Sequence, residues 1–257
     1  GDTIVLVEDI TAIEVMEEEL LHNERLASIG RLAAGVAHEI GNPVTGIACL
    51  AQNLEYAEDP EEIAHTAQDI LKQTERVGRI VESLVNFSHV GSSSEELELM
   101  PCNLADCVDE SIHLLALDRG AQQVRFSNRC DRELLVLADS QRLLQVFVNL
   151  LGNARDACDD QGHIQVQAYQ QNARILVDVD DNGSGIPAEL QSQIFEPFFT
   201  TKDPGAGTGL GLALVYSIME DLGGSVHLTS PLQSGTHPGT RFTLQLSGAS
   251  YGETFEV

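Results

Sequence analysis

Basic charge is scarce in this chain of 257 residues: 14 Lys and Arg stand against 40 Asp and Glu, a formal net charge of -26. A surface that tracks a phosphate backbone needs clustered cations, so the balance argues against nucleic acid as a partner. An anionic small molecule would have to be held by local backbone donors and a metal ion, against the general field. Equally missing is a run of about 18 apolar residues, and no transmembrane segment is expected. Residues 1–19 carry several carboxylates and no basic start, unlike a secretory signal. The five cysteines (Cys49, Cys102, Cys107, Cys130, Cys158) are odd in number and form no C-x-x-C pair. They read as reduced, mostly buried thiols of a cytoplasmic protein.

What is present is a 42% hydrophobic content, enough for a real core. Thr3 to Asp9 reads as a short β-strand, and its continuation Asp9-Ile10-Thr11 resembles the exit of a PAS sensor domain; a ragged chain end is the alternative. From Leu26 the apolar residues step by three and four through Ile29, Ala33, Val36, Ile40, Ile47, Leu50 and Leu54, a heptad seam with Pro43 on it. Glu58-Asp59-Pro60 predicts a turn, and a second seam runs Ile63, Ala67, Ile70, Thr74, Val77, Val81, Leu84. Two such helices form an antiparallel hairpin. Each seam asks for more than one partner, so two hairpins are expected to pair into a four-helix bundle and make a homodimer. With Leu26 at heptad position a, His38 falls at f and faces water, and Asn42 falls at c. After Gly91-Ser92-Ser93-Ser94, a linker composition, the texture changes. Helices are predicted over Asn103–Leu117 and Ser140–Cys158. Strands are predicted at Val124–Phe126, Leu134–Leu137, Ile164–Tyr169, Ile175–Val179, Ser225–Leu228 and Arg241–Leu246. The expected fold is an α/β sandwich with helices on one sheet face.

Three motifs in this second half carry chemistry. Asn149 and Asn153 set two amides on one helix face; capping is their plainer use. Asp181-Asn182-Gly183-Ser184-Gly185 is a glycine-rich turn after a strand, which alone would pass for an ordinary turn. Gly205-Ala206-Gly207-Thr208-Gly209-Leu210-Gly211-Leu212 opens an apolar helix and offers amide donors to phosphate. It is not a Walker loop, which would end Gly-Lys-Ser/Thr.

Taken in order with Val36-Ala37-His38-Glu39-Ile40-Gly41-Asn42-Pro43, these motifs resemble the dimeric sensor histidine kinases of two-component signalling, over Glu24 to Ser247. The resemblance implies a layout: residues 1–23 as sensor exit and signalling helix, and 24–90 as the dimerisation and phosphotransfer hairpin. Residues 91–100 would be a linker, 101–247 the ATP-binding domain and 248–257 a tail. It implies ATP with Mg2+, the metal on Asn153 and the adenine amino group on Asp181, with Gly183 and Gly185 beside the base. Phosphates would lie on Gly205, Gly207, Thr208, Gly209, Leu210 and Gly211, with Lys202 adding a charge. Phe195 to Lys202 matches the family's aromatic box, within an expected lid from Ile186 to Thr208. His38 would be the phosphoacceptor, Glu39 its general base and Asn42 a residue that positions water for phosphatase action. The implied partner is the receiver domain of a response regulator. The resemblance is compatible with anchoring of the intact protein to a membrane through an upstream region. Ala206 departs from the Lys or Arg that relatives often carry. A non-catalytic ATP-binding scaffold, and an ATPase of chaperone, topoisomerase or mismatch-repair type, are the competing readings.

Overall fold

Aspartate before proline sets where the helix 60–89 begins. Asp59 Oδ1 accepts from Glu61 N at 3.0 Å, Pro60 takes the first position, where no N–H is needed, and Glu61 and Glu62 face the positive end of the dipole. The computed structural model describes residues 37, 40–89, 99–117, 124–158, 162–202, 207–233, 235 and 237–249. His38, Glu39, Gly205, the strand expected at Thr3–Asp9, and the stretches 91–98 and 250–257 lie outside them. The chain divides into two units between Ile80 and Val81, so the last turns of the helix 60–89 fall on the far side of the division.

In the first unit, helix α1 (40–54) runs through Pro43 and closes in turns that carry Glu55, Tyr56 and Ala57. Helix α2 (Pro60–His89) returns alongside, Gly46 lying opposite Gln73. The expected turn at 58–60 is where the chain reverses. Of the predicted seam, Pro43 is buried, and Ile40, Ile47, Leu50 and Leu54 are half-buried. Ile63 and Val81 stay exposed on the single chain.

The second unit is a sheet carrying helices. Its strands are β1 (Met100–Asn103), β2 (Arg125–Asn128), β3 (Leu135–Ala138), β4 (His163–Gln171), β5 (Arg174–Asp181), β6 (Ser225–Thr229) and β7 (Thr240–Ala249). Helices α3 (Leu104–Ala116), α4 (Ser140–Ala157) and α5 (Gly211–Asp221) alternate with them. The order is β1-β3-β7-β5-β4-β2, with β6 beside β7; β2 and β4 are parallel and the other pairs antiparallel. β1 was not expected. It is a four-residue edge strand holding Pro101, a residue tolerated only where one side of the ladder is free.

β7 shows the period of two that a half-covered sheet requires: Phe242, Leu244 and Leu246 are buried, while Arg241, Thr243 and Gln245 alternate with them. The buried set meets Leu143, Val146, Phe147, Leu150 and Leu151, which recur at helical spacing along α4, and Val215, Ile218 and Met219 of α5. α4 starts where Asp139 Oδ1 caps the amides of Gln141 and Arg142. On the other sheet face, Arg241 grips Asp180 through both oxygens at 2.6 Å and reaches Asp178 at 3.3 Å. These carboxylates push the guanidinium's affinity for its proton above the ordinary value.

Candidate functional site

The sheet delivers Asp181 to the last position of β5, paired with Thr240 at the first position of β7. Its Oδ1 accepts from Gly183 N at 2.8 Å and from Thr240 N at 3.2 Å. The carboxyl is buried, and burial lifts its pKa above the ordinary value; the two amide bonds pull the other way, and Asp180 adds a smaller upward push. With Oδ1 saturated, Oδ2 is the acceptor left for a ligand's N–H.

The turn after Asp181 is fixed by lack of room. A Cβ on Gly183 would lie 2.4 Å from Ala157 O, at the end of α4, and Ser184 N donates to that same oxygen at 3.1 Å. Gly185 has φ +71°, and a Cβ there would lie 2.8 Å from Pro238. Ser230 Oγ then ties the neighbouring strands, accepting from Ile186 N at 2.8 Å and donating to Gly239 O at 3.0 Å. Thr240, Gly239 and Ser230 escaped the sequence reading.

Two turns back along α4, Asn149 Nδ2 donates to Gln145 O at 2.8 Å, which turns its Oδ1 outward. A Cβ on Gly211 would sit 3.0 Å from that oxygen and 3.7 Å from Asn153 Nδ2, so the start of α5 abuts both asparagines. Leu210 supplies no side-chain cap, leaving the first amides of α5 to other acceptors. Gly209, at φ +66°, packs against the backbone of Phe198, whose N–H bonds Gly209 O at 2.9 Å. The chain thus brings Asn149, Asn153, Gly207, Thr208, Gly209, Leu210 and Gly211 to one place, with Asp181, Gly183 and Gly185 at the other end of the same α4 segment.

Lys202 belongs to this group. Its Nζ reaches Asp156 Oδ2 at 2.6 Å and Asn153 Oδ1 at 3.5 Å. Arg155 Nε holds the other oxygen of Asp156 at 3.3 Å. The aromatic stretch before it differs from a fully mobile lid. Ile194 is buried, and the Phe195 ring sits 5.7 Å from Tyr216 and 6.4 Å from Phe242, so 194–199 is anchored in the core.

Among the described residues no three His, Cys, Asp or Glu side chains converge as a metal cage. Asn153 Oδ1 is one oxygen available to a hard cation such as Mg2+, whose remaining ligands would come from phosphate and water. Asn42 is exposed on α1. Among the described residues no helix is long and apolar enough to cross a membrane.

Residues 28–93 match the His Kinase A (phospho-acceptor) domain, and residues 138–249 match the histidine kinase-, DNA gyrase B- and HSP90-like ATPase family. The chain is 36% identical over 235 residues to the sensor histidine kinase ZraS of Escherichia coli (strain K12), covering 91% of this chain and 48% of the relative. It is 34% identical over 230 residues to the signal transduction histidine-protein kinase AtoS of the same strain, covering 88% and 37%. The chain therefore spans half or less of the length of these curated relatives. Among solved structures, histidine kinase ThkA in complex with the response regulator protein TrrA superposes with a TM-score of 0.72 at 30% identity, over 94% of this chain and 68% of that one. The mycobacterial sensor histidine kinase MprB does so at 0.53 and 26%, over 58% and 97%. A histidine-bearing hairpin sequence, an ATPase-type sheet that gathers the asparagine, aspartate and glycine motifs, and these likenesses meet in one conclusion: the chain belongs to the sensor histidine kinase family.

Proposed function

We propose that this chain is the transferring part of a two-component sensor: it phosphorylates His38 from ATP and passes the phosphoryl group to an aspartate of a response regulator. The observation that carries the reading is Asp181. Its Oδ1 is saturated by backbone amides and its Oδ2 remains an acceptor, which matches the amino group of adenine and rejects the carbonyl of guanine. The uncapped start of α5 takes phosphate oxygens through its amides. Asn153 would hold Mg2+ through its amide oxygen. When bound, that ion supplies charge neutralisation on the phosphates.

The neutral ring nitrogen of His38 attacks the γ-phosphorus. A P–N bond forms, the bond to the bridging oxygen breaks, and ADP leaves with the electron pair. Glu39 accepts the proton of the other ring nitrogen as a hydrogen bond and holds the tautomer that attacks. The phosphoryl group then moves to the receiver's carboxylate, and the imidazole returns to its neutral form. Asn42, exposed on α1, would orient a water for the reverse duty, hydrolysis of the regulator's acyl phosphate. The half-exposed seams of α1 and α2 support a homodimer built on a four-helix bundle.

Incubation with γ-labelled ATP tests the kinase: wild type becomes labelled in an acid-labile, base-stable form and His38→Gln does not. Label that persists in His38→Gln sinks the assignment. For the phosphatase, Asn42→Ala should slow decay of the phosphorylated regulator and leave autophosphorylation intact.

A further inference from the structure

Lys202 is one of only two lysines among the 14 basic residues, Lys72 on α2 being the other. In a molecule of net charge -26 it stands beside the asparagines and glycines gathered for phosphate, yet it points at a carboxylate. A Cβ on Gly207 would lie 3.1 Å from Lys202 Cδ, so the aliphatic stem crosses the glycine run. Its ammonium ends on α4, 2.6 Å from Asp156 Oδ2, with Asn153 Oδ1 at 3.5 Å. The side chain therefore spans from the phosphate-binding glycines to the metal-binding helix.

We propose that Asp156 is a positioning residue for nucleotide: it holds Lys202 across the phosphate site and must yield the ammonium to the terminal phosphate when ATP binds. Three observations make the exchange cheap. The pair is one-third exposed on both sides, 33% and 36%, so water screens it. Arg155 stays on Asp156 Oδ1, so the departing lysine leaves no uncompensated carboxylate. Lys202 also vacates Asn153 Oδ1 in leaving, which frees that oxygen for the cation that accompanies the phosphates. The resting arrangement places a cation where the bound state needs one.

The inference rests on the ATP reading above and predicts a difference between nucleotides that loss of structure would not give. Calorimetric titrations of the full chain with Mg2+ compare a non-hydrolysable ATP analogue with ADP. Asp156→Asn is expected to tighten the ATP analogue by about two- to fivefold, the range for releasing a part-exposed ion pair, and to leave ADP unchanged. Lys202→Met should weaken the ATP analogue and spare ADP. In the double variant the gain from Asp156→Asn should vanish, because no ammonium remains to be released. Equal shifts for both nucleotides, no shift, or a gain that survives in the Lys202→Met background would overturn the role of Asp156. A wild-type chain that binds neither nucleotide would instead bring down the ATP reading, and this inference with it.

Discussion

The two units of this molecule solve the burial problem in opposite ways. In the α/β unit, side chains such as Phe147, Val177, Val215 and Leu244 have no exposed surface, sealed between one sheet face and three helices. In the hairpin, Pro43 and Ile80 alone are buried among the described residues, while Val44, Ile63 and Leu71 stand between 39% and 62% exposed. A core that closes on itself stands alone; a pair of helices with open seams leaves apolar surface for a partner, in line with the homodimer proposed above. On that proposal the difference divides stability and assembly between the two units.

Several experiments break or sharpen that contrast. The largest effect is expected at Asp181. Asp181→Asn keeps an oxygen for the amides of Gly183 and Thr240 but turns the remaining acceptor into a donor. ATP affinity should fall ~100-fold, the loss of a charged hydrogen bond plus a donor–donor clash, while the circular dichroism spectrum stays unchanged. Next, Phe147→Ala should cost the α/β unit about 3–5 kcal/mol in urea unfolding. Ile63→Ala in the hairpin should change that transition by less than about 0.5 kcal/mol and act instead on the dimer. Hairpin melting that does not depend on protein concentration would contradict the assembly role.

A smaller effect concerns thiols. Burial pushes Cys107 up to about 11 and Cys130 up to about 12, and raises Cys102, whereas Cys49 is exposed on α1. At pH 8, iodoacetamide should modify one thiol per chain rapidly, at Cys49, with the others following only in denaturant; mass spectrometry reads the count. The smallest concerns pH. Burial raises the Asp181 pKa, so folding favours its protonated form; that contribution is present below its unfolded pKa of about 3.9 and is lost as pH rises through the folded value. Asp181→Asn escapes the loss. Its melting temperature should gain on wild type by about 1–3 °C between pH 4 and 7. A gap that narrows with pH would reverse the sign argued here.

Local signals carried most of the architecture. Asp139 before an apolar periodic run fixed the start of α4, and alternation along 241–246 fixed β7. β1 lacked such a signal, since four residues with a proline carry no period. Within the site, Asn149, Asn153 and Asp181 were legible because spacing and glycine context are local. Thr240 and Ser230 were not: their bonds to the Asp181 loop span residues 59 and 44 positions apart, created by strand register. Phe195 read as part of a lid, because nothing local reveals the rings of Tyr216 and Phe242 waiting on α5 and β7. Asp156 carries no local signal of its contact, because Lys202 comes to it from 46 positions away.

The absence of a methyl group at Gly183 has a mechanical consequence. Because that turn rests directly on the carbonyl of Ala157, and Asn153 lies one helical turn earlier, the carboxylate of Asp181 and the amide of Asn153 hang from a single stiff rod. On the proposed binding of ATP, α4 would gauge the span from purine to triphosphate, as by a ruler, and any push on the end of that helix would reset both marks together.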